Sequence, residues 1–398
     1  MVKVNKYDFE TLVNRKNTGS GKWDRMYGAN PNIGDNIVPL SVADMEFRTA
    51  PGIVENLKKY LDESILGYTS PTDDYYNSVI RWMERRHGFS PKREWFVEVP
   101  GVIPALRHLV AVLTEPGDSV LITPPVYFPF SSVPVSQGRK VVESELVVRG
   151  NTYDIDFDDF EAKARREDVK LFILCSPHNP VGRVWEKWEL EKICKICYEN
   201  DVYIISDEIH FDLIMPGYRH TSIATLDDKY LDNCAICTAP SKTFNLAGMQ
   251  AANIFIANRD VRERVTEVKG GGVNVLGIKA CEFAYNHCEE WLEQVIQVID
   301  GNRKYVESFI AKSIPQVKVF ELQGTYLMWL DFNGLGMDYK ELEVFLQNSA
   351  QLFLNQGYVF GNGGHGFVRM NIACPRWVIE DAMDRLLRHY PEDTQDCT

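Results

Sequence analysis

The chain has 398 residues, 45% of them hydrophobic and 25% charged, a balance that fits a soluble globular protein and excludes collagen-like, coiled-coil and disordered chains. Its 43 Lys and Arg against 56 Asp and Glu give a formal charge of −13, and no basic run marks a footprint for nucleic acid or an anionic membrane. The length predicts two or three domains and a core large enough to enclose a polar site.

In chain order, the amino terminus MVKVNKYDFE has no apolar signal-peptide core. No stretch elsewhere reaches the roughly 18 uninterrupted apolar residues of a membrane span, so the cytoplasm is the expected location. From about residue 100 to 257, short apolar runs alternate with helical patterns, which predicts an α/β unit with a mainly parallel sheet. The strand candidates are Ser119–Thr123, Lys170–Cys175, Val202–Ser206, Cys234–Thr238 and Ala251–Ala257, apolar almost throughout and so suited to burial on both faces. Helices are predicted between them at Pro104–Leu113, Phe157–Ala164 and Glu186–Asn200.

Beyond Gly270, the stretch Leu276–Ile310 reads as one long helix with a break near Gly301. The remainder predicts a smaller α+β unit: strands at Val317–Leu322, Thr325–Leu330 and Phe367–Ile372, and helices at Tyr339–Ala350 and Arg376–Arg388. The run GNGGHG ahead of Phe367 lacks the form of a phosphate loop and reads as a flexible loop beside the site. The nine cysteines include two CxxC pairs. Cys194 and Cys197 fall on the buried face of a helix, and Cys234 and Cys237 on opposite faces of a strand, so both pairs read as small core hydrophobes and no metal is expected. His87, His178 and His365 lack metal-ligand spacing and read as surface or loop residues.

In an open α/β sheet, ligands bind beyond the carboxyl ends of the strands. Three polar residues follow the apolar runs there: Asn179 in SPHNP, Asp207 in SDEIH and Lys242 in APSKTFN. Each alone has an ordinary reading, as a turn residue, a helix cap and a solvated lysine. Together, an amide, a carboxylate and a lysine at one sheet edge are what a pyridoxal 5'-phosphate (PLP) site requires. The lysine amine bonds the aldehyde, the carboxylate keeps the pyridine nitrogen protonated, and the amide donates to the phenolic oxygen. The N–H groups of Val102 and Ile103, at the start of a predicted helix, can face the phosphate, and Ser241 and Thr238 add hydroxyls.

The order and separation of Asn179, Asp207, Lys242 and Arg369 resemble the fold-type I PLP enzymes related to aspartate aminotransferase. The runs VADMEF, GYT, PPVYFPF, SPHNPVGRVW, SDEIHFDL and SKTFNLAG look like the MalY/PatB cystathionine β-lyase branch of that family, over nearly the whole chain. The resemblance implies a large PLP domain over 45–290 and a small domain formed by 1–44 and 291–398. It implies Lys242 as the Schiff-base lysine, Asp207 as the partner of the pyridine nitrogen and Asn179 as the donor to the phenolic oxygen. Tyr127 would stack on the ring, and Arg369 would clamp the substrate α-carboxylate. His210 stands where relatives often place a tyrosine reaching the phenolic oxygen; a core histidine satisfied by backbone is the equal alternative. Tyr68 would reach the phosphate of a neighbouring subunit, which implies a homodimer. Gln250 stands where many aminotransferases carry a phosphate-binding arginine, a departure that leaves the phosphate ligands incomplete and fits the lyase branch better. The expected activity is β-elimination of L-cystathionine, or a related small amino acid with a Cβ–S bond, to thiol, pyruvate and ammonia. An aminotransferase is the rival with the same cofactor, and a PLP-binding regulator of a transcription factor the rival of another class.

Overall fold

The computed structural model describes residues 6–34 and 36–390. Nine strands fill the first part of the chain: β1 (Phe96–Val99), β2 (Ser119–Ile122), β3 (Lys140–Glu143), β4 (Leu146–Arg149), β5 (Thr152–Ile155), β6 (Val169–Cys175), β7 (Tyr203–Asp207), β8 (Cys234–Thr238) and β9 (Ala252–Ile256). All but the β4–β5 hairpin form one sheet in the order β1-β9-β8-β7-β6-β2-β3. Its pairings are parallel except at β9, which runs against both its neighbours.

Burial on both faces explains why these strands read as unbroken apolar runs. Along β6, Leu171, Ile173 and Cys175 enter one core while Phe172 and Leu174 enter the other. The first core is closed by Ala105, Leu106 and Leu109 of the helix Val102–Leu113. Leu190, Ile193, Cys194 and Cys197 of the helix Lys187–Glu199 belong to the second. Cys234 and Cys237 point into different cores, as a spacing of three on a strand dictates. All eight cysteines among the described residues are buried thiols, and Cys397 lies outside them.

A second sheet follows, antiparallel throughout: β10 (Lys318–Val319), β11 (Leu327–Asp331), β12 (Asn355–Gln356) and β13 (Phe367–Asn371), in the order β10-β11-β13-β12. The helix Arg376–Arg388 packs on the helix Glu289–Ser313 beside it.

Three expectations are corrected. The long helix is two, Val275–His287 and Glu289–Ser313, and the break falls at Cys288 instead of Gly301. Cys288 leaves helical geometry while its N–H still caps Ala284, and Glu289 and Glu290 open the next helix, where carboxylates suit the positive end of the dipole. Gly301 is continuous helix, and a Cβ there would lie 2.9 Å from Arg376 Nη2, so the glycine serves close helix packing. The strand foreseen at Val317–Leu322 shortens to two residues because Glu321 N–H bonds Asn151 and Gln323 N–H bonds Gly182, outside the sheet. The helix from Tyr339 turns from α to π geometry over Phe345–Ser349, where Ala350 N–H reaches back to Phe345.

The segment 40–46 crosses between the two sheets. Leu40 bonds Phe353 and Asn371 through the backbone, the Asn371 side chain donates to the carbonyls of Val42 and Asp44, and Asn245 holds both backbone groups of Met45. Asn245 is three residues past Lys242, so this segment is tied to both sheets where a site would lie. No helix of the described residues is long and apolar enough to cross a membrane.

Candidate active site

A cavity of about 350 Å³ opens at the carboxyl edge of the large sheet. Asn179, Asp207, His210, Ser241, Lys242, Tyr127, Val102, Ile103 and Arg369 all line it, with Gln250. Each large-sheet residue arrives there for a local reason. β6 ends at Cys175 and turns through Pro177 to Asn179, whose N–H is accepted by Cys175 Sγ at 3.3 Å. Asp207 is the last residue of β7, and its Oδ1 accepts the Ile209 N–H at 3.1 Å. β8 ends at Thr238, and Pro240 then starts the single helical turn Pro240–Thr243 that carries Lys242.

Thr238 does not line the cavity. It is fully buried behind the turn, and its hydroxyl has no partner. Tyr68 is also absent from the cavity and projects from the surface of the chain, fully exposed.

The electrostatics are those of a desolvated site. Burial, with the nearby Arg369 charge, pushes the Lys242 amine down to about 8, and Nζ donates to the Ala43 carbonyl at 2.7 Å. Burial pushes the Asp207 carboxyl up to about 7, against the opposing pull of the Ile209 N–H and of Lys242. His210 is held neutral by burial and by the Lys242 and Arg369 charges; its Nδ1 has no partner, and its ring meets Tyr326 edge-on at 5.9 Å. Burial raises the Tyr127 phenol, so its hydroxyl stays protonated.

Arg369 sits within β13, and acceptors from three parts of the chain hold it. Nη1 donates to Asn179 Oδ1 at 2.8 Å, and Nη2 to Asn355 Oδ1 at 2.6 Å and to the Ser41 carbonyl at 3.2 Å. Its plane lies 4.8 Å from the Phe360 ring, while its buried Nε has no partner.

At the far wall the helix expected from Pro104 begins two residues earlier, at Val102. The first N–H groups of a helix have no intrahelical acceptor, so those of Val102 and Ile103 are free to meet an anion where Gly101 and Ile103 line the cavity.

Several lining groups escaped the sequence reading. Asn355 lies on a two-residue strand with no periodicity to expose it, and Arg25 on the helix Gly21–Ala29 has no motif around it. The Ala43 carbonyl belongs to the VADMEF run and the Ser41 carbonyl immediately precedes it, so that motif was the available signal for their segment.

Of the histidines expected at the surface or in loops, His178 lies in a loop but is buried, and His87 is buried at the end of a helix. His87 closes the helix Asp73–His87 and its Nε2 lies 2.9 Å from Asp212, a carboxylate that also receives Trp82 and Thr243. His178 is enclosed in the turn before Asn179, edge-on to Trp185. In the GNGGHG run Gly364 and Gly366 are buried and the other four residues are exposed; a Cβ on Gly364 would fall 2.1 Å from the Gly357 carbonyl oxygen.

The model of the family "Aminotransferase class I and II" matches residues 35–386. The chain belongs to that family. It is 38% identical to "Cystathionine beta-lyase PatB" of Bacillus subtilis over 95% of this chain and 98% of that one. Among solved structures it is similar to cystalysin of Treponema denticola, described as containing a pyridoxal 5'-phosphate cofactor, with TM-score 0.95 and 48% identity over 96% of this chain and 98% of that one. The PLP-bound C-S lyase of Staphylococcus hominis in complex with L-cycloserine gives TM-score 0.92 and 31% identity, covering 97% and 98%. The family's fold-type I architecture agrees with the seven-stranded, mainly parallel sheet observed.

Proposed function

We propose that the protein is a PLP-dependent carbon–sulfur β-lyase that converts L-cystathionine or a related cysteine conjugate to a thiol, pyruvate and ammonia. The observation that carries this reading is the meeting of Lys242, Asp207, Asn179 and Arg369 around one cavity, in a chain whose relatives include lyases of this kind.

The residues fit the cofactor by their own unmet needs. Asp207 is a buried carboxylate with one N–H donor, so a protonated ring nitrogen would relieve the burial that raises its pKa. His210 Nδ1 is a buried atom without a partner on the same wall. Asn179 and His210 would face the phenolic oxygen, and Tyr127 the ring. Val102, Ile103 and Ser241 would hold the phosphate, with Gln250 adding an uncharged contact. The Thr238 hydroxyl, buried and unpartnered, stays outside that set.

Bound PLP supplies an electron sink for negative charge left on the substrate Cα. Lys242 then does the proton work. With its amine pushed down to about 8, an appreciable fraction is neutral near physiological pH, and Nζ can take the Cα proton. The proton held on Nζ is available to the sulfur as it departs. Arg369 fixes the α-carboxylate, so the Cα–H bond is presented to Lys242 instead of rotating freely. Asn355 and Ser41 hold the guanidinium in place while it does so.

The active unit in this reading is a homodimer in the cytoplasm, with Tyr68 of each copy serving the phosphate of the other. Full exposure of Tyr68 on the isolated chain supports that assignment. The division into a large unit over 45–290 and a small one from both ends follows the two sheets. The test is a product balance: L-cystathionine should give pyruvate, ammonia and free thiol in equal amounts without a keto acid. Transfer of the amino group from L-cystathionine to an added keto acid, with the carbon–sulfur bond intact and no pyruvate released, would replace the lyase with an aminotransferase.

A further inference from the structure

Three cationic side chains line the cavity, and they are not equivalent. Lys242 and Arg369 have acceptors at its floor. Arg25 stands exposed at its mouth, on the helix Gly21–Ala29, and makes no hydrogen bond or ion pair with any described residue. It lines the same cavity as Tyr127, Lys242 and Arg369, so its charge borders the space that holds the substrate. Phe128 lines the same cavity with 53% of its area exposed, its ring 5.3 Å from that of Tyr127. The mouth therefore combines an apolar ring and an unpaired guanidinium.

We propose that Arg25 selects cysteine conjugates whose leaving thiol ends in a carboxylate, by pairing with that distal carboxylate at the cavity mouth. The proposal rests on the lyase reading and adds the chemistry of the leaving group to it. Arg369 serves the α-carboxylate, so a substrate with one carboxylate leaves Arg25 without a partner. A thioether with a short methylene chain and a second carboxylate places carbon against Phe128 and charge against Arg25. A guanidinium suits this role because it binds a carboxylate through two parallel N–H groups and is weakly hydrated. In a chain of net charge −13, it is also a local attraction that the surface at large does not offer to an anion.

The test compares two substrates on the same holoenzyme preparations, L-cystathionine with its distal carboxylate and S-ethyl-L-cysteine without one, with pyruvate as the readout. In R25Q, kcat/KM for L-cystathionine should fall about tenfold relative to that for S-ethyl-L-cysteine, with the loss carried mainly by KM. An unchanged ratio overturns the proposal, whether both rates fall together, as for a structural role, or neither falls. If the wild-type enzyme releases no pyruvate from S-ethyl-L-cysteine or L-cystathionine, the lyase reading itself fails, an outcome distinct from an unchanged ratio in an active enzyme.

Discussion

The large sheet presents its reactive side chains at the end of β7 and just past the ends of β6 and β8, whereas the small sheet presents Arg369 from the middle of β13, between Trp329 on β11 and Asn355 on β12. Asn179 and Lys242 belong to turns that can change without breaking a ladder, and Asp207 closes its strand. Arg369 is part of a strand register, and its guanidinium is held by Asn179, by Asn355 and by the segment before β1. Chemistry and fold are separable on the first sheet and joined on the second. Substitutions in the two sheets should accordingly differ in what they disturb.

The largest effect is expected at the turn after β8. Lys242→Ala should reduce pyruvate release from L-cystathionine by roughly 10³-fold or more, with unchanged circular dichroism. A variant retaining a tenth of the activity would remove Lys242 from the reaction.

Asp207→Asn should follow, with a loss of about 10²-fold in kcat, since an amide cannot keep a ring nitrogen protonated. The same residue makes a prediction for the cofactor-free protein. Its folded carboxyl is pushed up to about 7 from an ordinary 3.8, so the folded chain holds a proton that the unfolded chain has released. That stabilisation is complete below about pH 4 and is lost as pH rises through 7. Lys242, pushed down to about 8 from 10.5, has the opposite sign: its contribution is present above 10.5 and is lost as pH falls through 8. The Tm of Asp207→Asn minus that of the wild type should therefore climb between about pH 4 and 7. A flat difference would contradict the assigned burial.

On the small sheet, Arg369→Lys keeps the charge and loses the fork, and should raise KM for L-cystathionine at least about tenfold. Unlike the large-sheet variants, it should also lower Tm, because acceptors on three segments lose a partner. An unchanged KM would take Arg369 out of substrate recognition. The smallest effect belongs to Tyr68→Phe, which deletes one hydrogen bond worth ~0.5 to 1.5 kcal/mol. PLP retention on dialysis should weaken about threefold to tenfold while the dimer persists in light scattering. A fully active monomer would overturn the shared site.

The contrast between the sheets also governs what the sequence disclosed. β6, β7 and β8 are buried on both faces, so each strand and the polar residue closing it stood out as an apolar run and its boundary. Arg369 lies within a short antiparallel strand, and only its match to a family pattern exposed it. Asn355 and Arg25 had neither signal: one sits on a two-residue strand and the other on an amphipathic helix where an exposed arginine is ordinary. The break at Cys288 was misplaced for a related reason. A glycine is a good stop signal in general, but Gly301 is spent on close contact with Arg376, a partner 75 positions away that no local pattern reveals.

The assignment of Lys242 as the residue that holds the cofactor bears the whole account. Borohydride reduction of the holoenzyme, followed by proteolysis and mass spectrometry, tests it most directly. The account predicts one pyridoxyl group per chain, on the peptide that contains Ser241, Lys242 and Thr243. A pyridoxyl group on any other lysine, or none on the protein, would contradict it.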